Sequence, residues 1–198
     1  FTNIHTSPEN FLSENPHFAK SALARYTPYD FIDLLIMYGI TWHEKTLGQL
    51  FCDVSAKQII AMLLAEMAHA ELWLETQVGE VRHDGAQFHV MLEKNGAPRP
   101  IKAKNLVLAT GGKSIPKRGA TGLAYRLATQ FGLSVTDTRP ALVPFTFGED
   151  VMENFAPLAG VAAPAAIKAG AATFQEALLF THRGLSGPAV LQASSYWR

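Results

Sequence analysis

The sequence predicts an α/β fold, and three patterns carry that prediction. A continuous apolar run ends in two adjacent glycines, two alternating apolar segments flank a turn, and several segments with helical periodicity begin at capping residues. Continuous runs are typical of strands covered on both faces of a parallel or mixed sheet, whereas alternation is typical of half-buried strands. The combination favours strands and helices mixed along one chain.

Two helices are predicted near the start of the chain. Pro16 follows Asn15, and the segment Thr27–Asp30 repeats this arrangement of a capping side chain, a proline at the first helical position and, here, an acid in the first turn. We therefore expect helices over 16–26 and 28–38. Gly39 ends the second helix.

Short strands and a third helix follow. Residues 40–44 and 49–52 have strand composition and flank a turn at 46–48. Ser55 then caps an apolar segment in which polar residues are rare until Glu66 and His69. This pattern predicts a mostly buried helix.

From Glu71 the apolar period changes from helical to two. Residues 78–81 and 88–92 alternate on either side of Asp84-Gly85, which predicts a β meander. The meander leads to the continuous run Leu106–Ala109, for which we expect a strand in a parallel or mixed sheet.

The chain changes character near Arg139. A helix over 123–131, ended by Gly132, is followed by apolar and alanine-rich segments that suit a small antiparallel, barrel-like unit. We therefore predict two parts, residues 1–138 and residues 139–198.

Composition excludes several classes of protein. Seventeen basic and seventeen acidic side chains cancel, so no global field attracts nucleic acid or anionic lipid. The single cysteine, Cys52, rules out an intramolecular disulfide framework and a cysteine-based zinc site, and no metal-ligand spacing is present. Without an apolar run of membrane-spanning length or a leader segment, we expect a cytoplasmic protein that does not enter a membrane.

The first candidate site follows the continuous run, at Thr110, Gly111 and Gly112. Ligands of α/β sheets lie at the carboxyl ends of strands, and glycines there let a flat ligand or a dinucleotide approach the backbone. The same residues also suit a tight strand-to-loop turn. Three cationic residues follow the glycines closely in sequence, namely Lys113, Lys117 and Arg118. They suit either a phosphate-binding site or a solvated loop.

The remaining candidates are Cys52 and the residues of the turn 181–187. Cys52 suits either a proton-donating or redox thiol or a small buried apolar residue. Within ten positions, the segment 180–189 carries a hydroxyl, an imidazole, a guanidinium and two glycines before a new helix. A ligand site and a sharp strand-to-helix connection both fit this density. The residues singled out there are Thr181, His182, Arg183, Ser186 and Gly187.

Five ordered blocks together resemble the bacterial BaiN/RdsA-type, YhiN-like NAD(P)/FAD-dependent oxidoreductases. The blocks are Phe1–Asn3, His43–Cys52, Ala109–Gly112, Leu142–Thr146 and Leu179–Ala189. The resemblance covers essentially the whole chain. It implies a partial Rossmann-like, glutathione-reductase-like FAD-binding domain over 1–138, followed by part of an inserted antiparallel β-barrel over 139–198.

The resemblance also implies cofactors and site residues. FAD and NAD(P)H are the expected cofactors, with hydride transferred through FAD to an electron-poor double bond in ribosomal RNA uridine or a small enone. Thr2 and Asn3 are expected beside the flavin, the Val78 backbone at the adenine, and residues 110–112 along the cofactor. The turn 181–188 is expected to face the flavin, with His182 and Cys52 as candidate catalytic residues.

Relatives in this family have a glycine-rich loop that precedes the part matched here. They also have a flavin-contacting segment that follows it. We therefore expect an internal fragment that lacks both ends, is inactive when isolated, and self-associates through exposed sheet edges. Two other interpretations stay open, a nucleotide- or RNA-binding module without redox activity and a purely structural fragment. The neutral net charge argues against a large RNA footprint, while the cations after Gly112 leave it open.

Overall fold

The computed structural model describes residues 1–114 and 121–197. The chain divides into two compact units, residues 1–76 and 77–198. The division into domains at 138/139 stays a prediction. Within the described residues, no helix is both long and apolar enough to cross a membrane.

The first unit contains three helices and a three-stranded sheet. The helices are α1 (Lys20–Arg25), α2 (Pro28–Met37) and α3 (Lys57–Glu66), and a short 3₁₀ helix covers Pro8–Asn10. The strands are β1 (Thr2–Asn3), β2 (Trp42–Glu44) and β3 (Gln49–Cys52), in the sheet order β1-β3-β2 with antiparallel pairing. The predicted helix over 28–38 and the two short strands are confirmed.

The start of α2 has the predicted cap. The Asp30 backbone N–H donates to the Thr27 hydroxyl, and the Asp30 carboxylate accepts from the Thr27 N–H at 2.6 Å. These bonds satisfy donors that the first helical turn leaves unpaired. The Thr27 hydroxyl also donates to the Asp30 carboxylate at 2.6 Å, and this bond is the main reason that the pKa of Asp30 is lowered.

The core of this unit lies between α2, α3 and the sheet. Leu35, Ile40 and Met62 are buried, and Trp42 and Cys52 pack against them. The prediction of a mostly buried α3 is wrong. Met62 is its one buried residue, because one face of the helix packs on the core while its other apolar side chains point to solvent.

The described residues of the second unit form two sheets and three helices. Its first sheet has the order β4-β5-β6, with strands β4 (Thr76–His83), β5 (Phe88–Lys94) and β6 (Ala97–Ala103), and is packed by α4 (Leu123–Gln130). The remaining elements are β7 (Phe145–Thr146), α5 (Glu149–Phe155), a 3₁₀ turn at Ala156–Leu158, β8 (Ala162–Ala169), β9 (Ala172–Thr181), β10 (Gly184–Ser186) and α6 (Pro188–Ser194).

The predicted meander and its turn are confirmed. Asp84 closes the turn, since its carboxylate accepts from the backbone N–H groups of Ala86 and Gln87 and lies 2.6 Å from His89 Nε2. The His89 bond contributes most to lowering the pKa of Asp84. Such local bonding by aspartate explains why the chain turns here.

The outer edge of β6 carries two prolines. β6 is paired with β5 along its whole length, with Pro98 opposite Glu93 and Pro100 opposite Met91. Residues two apart in a strand direct their backbone groups to the same side. Proline has no N–H to donate, and the two prolines occupy positions whose backbone faces away from β5, so the outer edge lacks two N–H donors. That edge is a poor template for another strand.

The predicted strand Leu106–Ala109 is wrong. The segment 105–112 has no regular structure, and no strand of the described residues pairs with it. Leu106 packs against the cluster of Val81, Val90 and Leu127, but Val107 is 84% exposed. A continuous apolar run forms a two-sided buried strand only where partner strands flank it, and every ladder of defined register here is antiparallel and lies elsewhere.

The last sheet has the order β7-β10-β9-β8 and is antiparallel, in agreement with the strand character predicted after Arg139. Helix α6 covers one of its faces, with Ala189, Val190 and Ala193 buried. The structure gives a four-stranded sheet here, so the barrel insertion stays a prediction.

Candidate functional site

Thr2 and Asn3 form a short strand whose side chains and backbone hold the neighbouring loops. The Asn3 amide donates to the Leu47 carbonyl at 3.0 Å, and its carbonyl oxygen accepts from the His5 N–H at 2.8 Å. The Thr6 hydroxyl donates to the Asn3 backbone carbonyl at 2.7 Å. Asn3 is therefore an anchor for the chain entering the following loop.

A cavity of about 390 Å³ opens beside Asn3. Its lining includes polar and apolar side chains and consists of Asn3, His5, Thr6, Asn10, Phe11 and Leu47. The Asn3 amide and the Thr6 hydroxyl of this lining are bonded within the loop, so the His5 imidazole is the lining group that best suits a polar ligand. Sequence reasoning found Asn3 and missed His5 and Asn10, since no motif joins them.

Gly48 makes room for this cavity wall. Its φ is +76°, and a Cβ there would lie 2.5 Å from His5 Cδ2 and 2.8 Å from Asn3 Oδ1. Its N–H donates to the Glu44 carboxylate at 3.0 Å. The glycine in the predicted turn 46–48 therefore has a steric as well as a conformational cause.

In the second unit, Thr110 and Gly111 present exposed backbone. Gly111 has a φ of +68°, and a Cβ added to it would meet no atom within 4 Å among the described residues beyond its neighbours in the chain. Gly112 has a different reason to be glycine, because a Cβ there would lie 2.6 Å from the Tyr125 hydroxyl. One of the two glycines thus faces open space, and the other permits a packing contact.

Lys113 lies against the start of α4. Its ammonium is 5.8 Å from the centre of the Tyr125 ring, a cation–π distance. Lys117 and Arg118 lie outside the described residues, so the predicted cluster of three cations stays a prediction.

Val78 lies on β4, which is an edge strand of its sheet. Its side chain is 39% exposed. An edge strand leaves one row of backbone groups without sheet partners, which is what a backbone contact to an adenine requires.

The turn between β9 and β10 uses its polar groups internally. The Thr181 hydroxyl donates to the Gly184 carbonyl at 3.1 Å and accepts from the Arg183 N–H at 3.2 Å. A Cβ on Gly184 would collide with the Phe145 carbonyl oxygen. A Cβ on Gly187 would lie 2.6 Å from the Ala177 carbonyl oxygen. These contacts favour the strand-to-helix connection over a ligand site.

The two candidate catalytic residues have different surroundings. Cys52 is half-buried on the inner face of β3 and packs against the core of its unit. His182 and Arg183 are exposed at the tip of the turn, and Ser186 is half-buried on β10, opposite Leu179. Among the described residues, no three His, Cys, Asp or Glu side chains are grouped as metal ligands.

The sequence of the chain matches the model of the HI0933-like protein Rossmann domain over residues 1–189. The chain belongs to this family. The family match gives a Rossmann-like domain, to which the structure adds antiparallel sheets. The YhiN-like, RdsA-type resemblance is thereby confirmed.

Two curated relatives of this HI0933-like chain carry the same name. It is 53% identical over 201 residues to the ribosomal RNA dihydrouridine synthase of Escherichia coli (strain K12), a match that covers 100% of this chain and 49% of the relative. It is 47% identical over 203 residues to the ribosomal RNA dihydrouridine synthase of Haemophilus influenzae (strain ATCC 51907 / DSM 11121 / KW20 / Rd), a match that covers 100% of this chain and 50% of the relative. The chain thus spans about half the length of these relatives.

Proposed function

We propose that this chain is part of a flavin-dependent oxidoreductase that reduces uridine in ribosomal RNA to dihydrouridine. The observation that carries the proposal is the 53% identity, over the whole chain, to a relative named for that reaction. Identity at this level in a match that covers both units supports a shared chemistry as well as a shared fold.

The reaction adds two hydrogens to one double bond. Dihydrouridine is uridine with the double bond of its pyrimidine ring saturated, so a hydride is added to one carbon and a proton to its neighbour. The hydride comes from NAD(P)H, which leaves as NAD(P)⁺, and the proton comes from a side chain or solvent. FAD, when bound, supplies the two-electron transfer between nicotinamide and pyrimidine.

The open backbone at Thr110 and Gly111 fits contact with such a cofactor. Among residues 1–114 and 121–197, no atom beyond the neighbours of Gly111 in the chain lies within 4 Å of the place where its side chain would begin, and both residues are exposed. A flat ring or a phosphate can therefore approach the amide groups of this segment. We assign residues 110–112 and the Val78 backbone to cofactor binding.

The cavity beside Asn3 supports the assignment of Thr2 and Asn3 to the flavin. The Asn3 amide and the Thr6 hydroxyl are bonded within the loop, so the support comes from the concave shape and from the His5 imidazole, which suits the hydrogen-bonding edge of a flavin or a pyrimidine. Thr181, Ser186 and Gly187 are weaker candidates for the cofactor, because the Thr181 hydroxyl and the space at Gly187 are already used by the fold.

Two groups are proposed as proton donors and two as phosphate contacts. His182 is exposed and accessible to a substrate, whereas Cys52 packs against a core, so His182 is the stronger of the two. Lys113 and Arg183 are exposed cations that suit RNA phosphates. An RNA substrate and a single cysteine both fit a cytoplasmic protein.

The first test is the flavin content of the full-length protein. We expect it to purify yellow, to lose its visible absorbance on addition of NADH or NADPH without oxygen, and to convert uridine to dihydrouridine in ribosomal RNA that lacks the modification, as measured by mass spectrometry. A well-folded, colourless protein that takes up no FAD would end the proposal. Reduction of a small enone but not of RNA would change the substrate and keep the chemistry.

A matched pair of variants tests the cofactor site. Thr110→Trp fills the open space beside Gly111, so we expect it to lower the FAD content, while Thr138→Trp, also on an exposed segment without regular structure, leaves the FAD content unchanged. Equal FAD content in both variants would remove residues 110–112 from the site.

A further inference from the structure

The outer face of the β2–β3 hairpin carries an exposed aromatic and cationic cluster. His43 lies directly opposite Phe51 in the strand ladder, and Lys45 follows two residues later on the same side. The alternate residues Leu50 and Cys52 point to the opposite, inner face. We call the cluster of His43, Lys45 and Phe51 the aromatic shelf.

The rings of the shelf form one continuous surface. The ring centres of His43 and Phe51 are 6.5 Å apart, and their planes differ by 22°. The Lys45 ammonium is 5.4 Å from the centre of the Phe51 ring. Phe51 is 42% exposed and the His43 side chain 57% exposed. An apolar ring left this open in the centre of a sheet face needs an explanation.

The shelf is held in place by bonds to its neighbours. His43 Nδ1 lies 2.7 Å from Asp53 Oδ1, and this hydrogen bond is the main cause of the lowered pKa of Asp53. The bond fixes the His43 ring through Nδ1. Its Nε2 has no partner in residues 1–114 and 121–197 and is available to a ligand.

The carboxylates near the shelf are already engaged. Asp53 is bonded to His43, and the Glu44 carboxylate accepts from the Gly48 N–H at 3.0 Å. Within the described part of the chain, Lys45 forms no ion pair. Its positive charge is therefore available beside an open ring.

We propose that the aromatic shelf binds unpaired RNA, with a base stacked on the rings and an adjacent phosphate at Lys45; the proposal rests on the proposed function. Stacking on aromatic rings combined with nearby cations is how proteins hold single strands. The flanking residues of this face, Thr41 and Gln49, are polar and exposed, so the face lacks the apolar groove that a protein partner would bury.

Two substitutions in the full-length protein separate the two parts of the shelf. Phe51→Leu keeps an apolar side chain and removes the ring, and we expect it to weaken binding of a single-stranded RNA oligonucleotide roughly tenfold. Lys45→Gln removes one cation, so the slope of log affinity against log salt should fall by about 0.7. Both are measured by fluorescence anisotropy, with circular dichroism to verify folding.

Two matched variants on other surfaces control for general effects. Phe18→Leu removes a ring that is 80% exposed, and Lys168→Gln removes an exposed cation of β8. Both should bind the oligonucleotide like the unchanged protein. Duplex RNA, whose bases are stacked in the helix, should bind Phe51→Leu and the unchanged protein equally.

The outcomes distinguish the shelf from the enzymatic proposal. Unchanged single-strand affinity and salt slope in both variants, or equal losses in the control variants, would overturn the shelf even if the protein reduces uridine. A tenfold loss confined to Phe51→Leu and single strands supports the shelf even if the protein proves to lack flavin. Failure of the unchanged protein to bind the oligonucleotide overturns it as well.

Discussion

The turn 181–187 and the aromatic shelf of the β2–β3 hairpin differ in how well the sequence indicates which groups remain available to a ligand. The turn has the denser polar sequence, yet its hydroxyl is bonded within the turn and its glycines are packed against neighbouring backbone. No motif in the sequence marks the three shelf residues as a site, yet the Lys45 ammonium and an open ring remain available. Ligand capacity depends on which groups the fold leaves unused rather than on how many it has.

The largest expected effect falls on Gly184. Its φ is +144°, and a Cβ would collide with the Phe145 carbonyl oxygen, so Gly184→Ala should lower the free energy of unfolding by about 3 kcal/mol through strain and overpacking. Urea unfolding measures this change.

Gly170→Ala is the matched control. Its φ is +61°, and a Cβ there meets nothing within 4 Å in the part of the chain that the structure describes, so only the left-handed conformation is penalised, by about 1 kcal/mol. Equal losses in the two variants would mean that the turn is not tightly packed, and the comparison with the shelf would fail.

A smaller effect is expected at Thr181. Thr181→Val keeps the shape of the side chain and removes its bonds to Gly184 and Arg183, so the free energy of unfolding should fall by about 1 kcal/mol. Thr173→Val, at an exposed position of β9, should leave stability nearly unchanged. If Thr181→Val were as stable as the unchanged protein, the bonds of the Thr181 hydroxyl would not be needed for the fold, and that hydroxyl could serve a ligand instead.

The smallest expected effect concerns Asp53 beside the shelf. The pKa of Asp53 is lowered chiefly by its hydrogen bond to His43. This bond therefore stabilises the fold at pH values above the usual aspartate pKa, and the stabilisation is lost as the pH falls through the lowered pKa. His43→Ala should raise the pKa of Asp53 toward its usual value, as seen by carboxyl-carbon NMR titration.

His89→Ala is the control for this titration, since it should raise the pKa of Asp84 and leave that of Asp53 unchanged. An unmoved Asp53 pKa in His43→Ala would show that the histidine ring is not held by this carboxylate in solution.

Local signals predicted the elements that depend on local structure. Thr27, Pro28 and Gly39 located α2, Asp84-Gly85 located the meander turn, and Gly132 ended α4 with a φ of +76°. These residues act through backbone conformation and bonds to near neighbours, which a sequence records directly.

Elements that depend on distant partners were predicted less well. The run Leu106–Ala109 indicates a strand only if other strands flank it. Helix α3 carries apolar residues on more than one face, although the core of its unit covers only one of them. The shelf was missed for the same reason. Lys45 and Phe51 are six residues apart, and only the strand register brings them together.

The two prolines of β6 limit how copies of this chain can combine. An added strand finds donors along β4 but not beside Pro98 and Pro100, so sheet extension is restricted to one flank. Two copies joined through β4 would present a blocked flank at each end. Assembly through this sheet would therefore stop at a two-fold dimer and could not polymerise into a fibre.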